Sequence, residues 1–472
     1  MKQGFFKLLP LAGAVSAIAF ATQGFAAQAV EEQAVEESTT EEVIEEVVAN
    51  PTDILTDGWT INGYVRTGWR ITEKGVSTDT DFGKANYATA GTTASSANQV
   101  EFVIGKMTEF QNGVWSELGV RAEYGNGNSY FYSSPGSENT HDDGQFEVKE
   151  AFMKIGGLSY LPEDAHVWAG RRYLNRAAGA LSGEFWKQSS GVGFGYEQNR
   201  SGVAVVSADP GAGDQKETVE EKVGDRATMH SIDFYSYGHE ALGGSFDYDL
   251  KVMMQGNKSE FETAYGDNAA TNGLGAAITY NRDYYGMDGW SSTALAYGNG
   301  MAANRGVNFG SWSGQAGLGA ADNEDGSTVF FTSYGVMNIN PLWQMASEVT
   351  YLHGKNIWGL TENADTPVKE AETVDRLLLA VRPTRRINDN FRWEFTAAYG
   401  YDKSNWGAET TTTDYYTAEV AGVITVNADY FGRPQIKPFV TYLYNSAENG
   451  WGENFDNDKG VFQIGVEAEI WF

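Results

Sequence analysis

From Gly58 to the end, apolar and polar positions alternate in short runs with a period of two. The last run, 461–472, shows the pattern most cleanly. Phe462, Ile464, Val466, Ala468, Ile470 and Phe472 fall on one face; Gln463, Gly465, Glu467, Glu469 and Trp471 fall on the other. Successive side chains of a strand point to opposite faces, so the run predicts a strand with one apolar and one polar side. Two carboxylates and an amide would be costly in a dry core but cost little against water. A run of about ten residues is also the length of a strand that crosses a bilayer at a tilt. Trp471 departs from the pattern, a large aromatic on the wet face. Two readings stand: an aromatic at the membrane boundary, shifted one residue by a bulge, or an apolar platform inside a channel.

The alternation recurs upstream. In 59–69, Ile61, Val65 and Trp69 share one face, and Asn62, Tyr64 and Arg66 the other. Val100, Phe102 and Ile104 oppose Glu101; Leu118, Val120 and Ala122 oppose Glu117, Arg121 and Glu123. Similar runs occupy 246–254, 328–334, 346–352, 377–381, 393–401, 416–426 and 436–443, whereas 146–155 alternates poorly on both faces. Long polar stretches (124–145, 207–228, 302–326, 360–374, 446–458) interleave with short connections such as 385–390. That rhythm predicts an all-β chain: a transmembrane antiparallel up-and-down barrel, long loops at one end and turns at the other. At roughly 20–25 residues per strand and connection, 58–472 makes about 16–18 strands, enough to enclose water.

Residues 1–26 are set apart. Lys2 and Lys7 flank the start, 8–20 is a short apolar run, and Gly24-Phe25-Ala26 places small residues at a cleavage position, as in a secretory signal. Residues 27–57 then form an acidic tail, with paired glutamates at 31–32, 36–37, 41–42 and 45–46. It reads either as a disordered, self-repelling segment or as a short helix bundling with its copies; a periplasmic or cell-wall partner would meet it there. The barrel domain follows, 58–472. The net charge of −30 offers no basic stripe for nucleic acid. Aromatic content of 13%, 56 glycines and only 10 prolines suit strands with aromatic girdles and glycine turns. The absence of cysteine fits export without a disulfide framework.

No enzyme signature stands out. His141, His166, His230, His239 and His353 are scattered, and neither His-Glu-x-x-His nor Gly-x-Ser-x-Gly occurs. No cofactor motif is visible. The acidic clusters 322–325 and 456–458 lack the spacing and closing glutamate of a calcium loop, and read as solvated loops.

Several motifs, in order along the chain, resemble the maltoporins, trimeric sugar-selective porins of the outer membrane. They are Asn62-Gly63-Tyr64-Val65-Arg66, the run 168–176 (WAGRRYLNR), Arg433-Pro434 with Phe439 and Thr441-Tyr442, and the terminal Glu469-Ile470-Trp471-Phe472. The resemblance implies 18 strands in outer-membrane lipid, a homotrimer, an inward-folded third loop and a track of aromatics that stacks on sugar rings. By that resemblance Tyr64 and Trp471 belong to the track, Phe185 or Trp186 stands for the constriction aromatic, and Tyr132 reaches into a neighbouring subunit. Arg66, Glu101, Lys149, Arg176 and Glu184 supply the polar partners of sugar hydroxyls. Gln99, Ile278 and Leu377 stand where the family has track aromatics, which implies a weaker grip on long oligosaccharides. A general, cation-preferring porin remains the alternative.

Overall fold

The computed structural model describes residues 54–73, 75–76, 89–91, 98–126, 144–208, 228–256, 258–259, 262, 270–303, 305–309, 324–357, 371–406, 409–446 and 460–472. Residues 1–53, Tyr132, His141, Asp322, Asn323 and the cluster 456–458 lie outside the described residues. Eighteen strands build the wall: β1 Ile54–Thr72, β2 Asn98–Phe110, β3 Trp115–Asn126, β4 Gly144–Gly156, β5 Ala165–Ala178, β6 Phe185–Gln198, β7 Ser201–Ala208, β8 Met229–Ala241 and β9 Gly244–Gln255. There follow β10 Asn272–Tyr284, β11 Met287–Asn299, β12 Ser327–Asn340, β13 Trp343–Ile357, β14 Ala371–Asn388, β15 Phe391–Trp406, β16 Glu409–Thr425, β17 Gln435–Asn445 and β18 Val461–Trp471. β1 begins at Ile54, within the stretch assigned to the tail on composition.

Each strand pairs antiparallel with its sequence neighbours, and β18 pairs with β1, so the sheet closes. Closure leaves no strand edge to meet hydrocarbon. The tightest turns, such as 242–243, 285–286 and 389–390, all fall at one end. The strand ends Asn126 and Gly144, Ala208 and Met229, and Ile357 and Ala371 fall at the other. In barrels of this kind the turns face the periplasm and the loops the exterior.

The outward face is apolar. Ile61, Phe102, Ile104, Phe194, Leu250, Ile278, Leu295, Ile436, Phe462 and Ile464 are all exposed there. The inward face carries the charge: Arg70, Glu101, Arg121, Glu123, Glu150, Asp233, Lys251, Glu348, Arg392, Glu394, Glu419 and Glu467 are buried within the barrel.

Three features depart from strict alternation. First, β4 is bulged: Arg121 pairs with Glu150 and the next residue, Ala122, with Val148, leaving Lys149 as the extra residue. The bulge switches phase, so Val148 looks out while Glu150 looks in, which is why 146–155 alternates on neither face. Second, the connection between β5 and β6, 179–184, the third at the loop end, crosses the interior instead of capping the barrel. Third, residues 300–309, which by composition belong to a long polar loop, also fold inward. Gly300–Ala302 forms a 3-10 turn, and Asn308–Phe309 adds a short parallel strand against Gln188 and Ser189 of β6. These segments cover an apolar stretch of the inner wall that includes Ala294, Ala296, Val336, Ala346, Leu378 and Ala380.

Candidate functional site

The first polar group is built where the barrel closes. Tyr64 on β1 lies opposite Trp471 on β18, and cross-strand partners share a face. Tyr64 is buried on the inward side, and its hydroxyl donates to Glu469 Oε1 at 3.3 Å. No register shift interrupts β18 on either side, so Trp471 faces inward without a bulge. The Arg433 guanidinium lies 4.6 Å from the Trp471 ring centre, and its Nε donates to Glu469 Oε2 at 2.6 Å. Two residues along, Arg66 donates from Nε (2.9 Å) and Nη2 (2.6 Å) to Glu467 Oε2, and Arg70 Nη2 reaches the same oxygen at 3.0 Å. The Arg66 side chain is 34% exposed and that of Arg70 3%, so Arg66 is the member a solute can touch.

The second group spans β2 to β6. Arg121 Nη1 donates to Glu101 Oε2 at 3.1 Å, and its Nε lies 2.8 Å from Glu150 Oε2. Gln99 donates to the other oxygen of Glu101 at 2.5 Å. Glu150 also accepts the backbone N–H of Tyr173 at 3.0 Å. Arg176 covers the Tyr173 ring at 4.6 Å and the Phe185 ring at 3.7 Å. Buried charges of this density are tolerable because every carboxylate named has a guanidinium against it. Glu184 pairs with Arg305 of the inward segment, and Asn308 Nδ2 donates to the Phe185 carbonyl at 3.0 Å.

Of the aromatics singled out from the sequence, Tyr64 and Trp471 come together, and Phe185 joins Arg176. Trp186 points elsewhere: it is 2% exposed and stacks on Phe330 at 5.9 Å in an apolar cluster. Lys149 occupies the β4 bulge. Ile278 and Leu377 do not stand on the lumen side. Ile278 pairs with outward Tyr248, and Leu377 lies between half-buried Arg376 and buried Leu378, the inward positions of its strand. At these strands the inward positions are Thr279, Arg376 and Leu378, none aromatic.

A recurrent device was not legible one residue at a time. Inward rings are capped by cations: Arg70 on Phe439 (4.5 Å), Arg172 on Trp168 (4.7 Å) and Phe152 (4.9 Å), and Lys187 on Tyr237 (4.3 Å). Such pairs seat a cation against each buried or half-buried ring. A signal was present, an inward arginine or lysine on the same strand (Arg172 with Trp168), the next strand (Arg172 with Phe152) or the next but one (Arg70 with Phe439, Lys187 with Tyr237). Using it required the pairing register.

The model of the LamB porin family matches residues 59–472. The chain belongs to the LamB porin family. It is an integral β-barrel of the outer membrane. Among curated relatives, the maltoporin of Vibrio cholerae serotype O1 is 25% identical over 419 residues, covering 87% of this chain and 94% of that protein. Maltoporin 1 of Klebsiella pneumoniae is 24% identical over 339 residues, 70% of this chain and 75% of that one. Among solved structures, the anion-selective porin from Comamonas acidovorans aligns with a TM-score of 0.43 at 10% identity, covering 88% of this chain and 100% of that one. The LamB porin match starts within β1 and runs to the last residue, so it includes both polar groups.

Proposed function

We propose that this LamB porin passes sugars across the outer membrane by facilitated diffusion. The observation that carries the reading is the inward cross-strand pair Tyr64–Trp471, flanked by Arg66 and by the Arg433–Glu469 pair. A glucosyl ring has apolar faces that stack on aromatics and a rim of hydroxyls that pair with charged groups. Arg66 is the polar partner at this first station. Phe185 with Arg176 forms a second, near Glu101 and Glu184. Lys149 and Tyr132 keep the parts the family resemblance gives them, as a hydroxyl partner and a contact between subunits of a homotrimer. Phe185 rather than Trp186 stands for the constriction aromatic, since Trp186 stacks on Phe330. Residues 1–26 direct export, and the acidic tail, which ends where β1 begins at Ile54, faces the periplasm. The maltoporin relatives favour a sugar over an unspecified solute.

Single-channel recording with a panel of sugars tests the reading. Saturable current block is expected, and Tyr64→Ala or Trp471→Ala should weaken it on the order of tenfold, about 1.4 kcal/mol. An absence of block by every sugar would favour a general diffusion porin, whose acidic composition predicts cation preference.

A further inference from the structure

We infer that Glu348 is the anchor that fixes the β5–β6 connection, 179–184, across the lumen, and so sets the aperture of the pore. Glu348 lies on β13, on the wall facing away from β5 and β6, and is 1% exposed. Its Oε2 accepts the backbone N–H groups of Leu181 (2.7 Å) and Ser182 (3.0 Å), and its Oε1 accepts Ser182 Oγ at 2.6 Å. Thr350, two residues along β13, donates to Oε1 at 3.1 Å and is itself bonded to Thr332 at 2.8 Å. Three of the four donors belong to one turn of chain that has crossed the barrel.

The rest of the tip is shaped to this carboxylate. A Cβ on Gly179 would come within 2.3 Å of Glu348 Oε1, so a side chain there would displace it. Leu181 seats in an apolar cluster with Val336, Ala346, Leu378 and Ala380, an exception to the polar lining. Ser182 Oγ also accepts the Glu184 N–H at 3.2 Å, which ties the anchor to the residue that pairs with Arg305. A carboxylate buried this deeply is retained only while its donors stay in place. The anchor and the tip therefore hold each other. Removing either partner frees the segment that narrows the lumen, while the wall keeps its ladder bonds to β12 and β14.

The chain contains no cysteine, which allows a direct test on the full-length porin. Leu181→Cys should react slowly with a water-soluble thiol reagent. Adding Glu348→Ala should speed that reaction at least tenfold. In planar bilayers, Glu348→Ala should raise open-channel conductance in KCl on the order of twofold and add low-frequency noise, because the narrowest section governs conduction. Glu348→Gln, which keeps a carbonyl acceptor, should fall between the two. Should Glu348→Ala fail to fold, as judged by heat-dependent gel mobility, the double change Leu181→Ser with Ser182→Ala removes the hydroxyl contact and the apolar seat of the tip, leaves the two backbone N–H bonds, and should give a smaller rise in the same direction. Unchanged labelling and conductance in folded variants would overturn the assignment. Both readouts are independent of whether any sugar blocks the current.

Discussion

Glu467 holds two guanidinium groups with a single oxygen, Arg66 and Arg70 both reaching Oε2. A neutral amide there would leave the geometry nearly intact while turning the local field positive. Glu467→Gln should therefore move the zero-current potential in a KCl gradient toward anions. It should also lower the urea midpoint of the folded barrel, by about 1.5–3 kcal/mol for bonds to charged groups. A normal potential with lowered stability would confine Glu467 to a packing role. The residues around it were readable in advance, since parity alone places Tyr64, Arg66, Glu467 and Trp471 on one face. Arg433 was visible only as part of a motif. Its position over Trp471 depends on the path of 426–434, which no periodicity encodes.

At the level of the strand, β4 makes the clearest test. Lys149 is the extra residue of the bulge, so its deletion restores plain alternation, with Val148 out and Glu150 in. The barrel should fold to within about 1 kcal/mol of the parent on urea titration, since a bulge disrupts only the local ladder. Deleting Phe152 instead should abolish heat-dependent gel mobility, because every residue on one side of the cut changes face. Equal folding of both deletions would refute the bulge assignment. Strands with clean alternation, such as β1, β13 and β16, were legible because one face meets lipid and the other meets charge. β7 was not. Its inward residues include Ala204 and Val206, packed beneath the inward segment, so both faces read as apolar. The inward course of 300–309 was missed for a related reason. Arg305 and Asn308 look like loop residues until Glu184 and the Phe185 carbonyl are seen to receive them.

Over the whole barrel, 18 strands are joined through neighbours, and one pairing, β1 with β18, makes the cylinder. It ends in a reciprocal bond pair, Gly63 N to Phe472 O at 2.9 Å and Phe472 N to Gly63 O at 3.1 Å. The Phe472 ring lies over Gly63, where an added Cβ would approach it to 2.4 Å. Gly63→Val should push that ring aside and cost about 1–3 kcal/mol, seen as a lower urea midpoint and slower acquisition of the heat-resistant band. A midpoint equal to the parent would show that the aromatic is dispensable for closure.

That seam joins residues from opposite ends of the polypeptide, and contacts so distant in sequence form late. No pore therefore exists until β18 has found β1. An unfinished copy cannot leak, because the leak and the finished product are made by the same final hydrogen bonds.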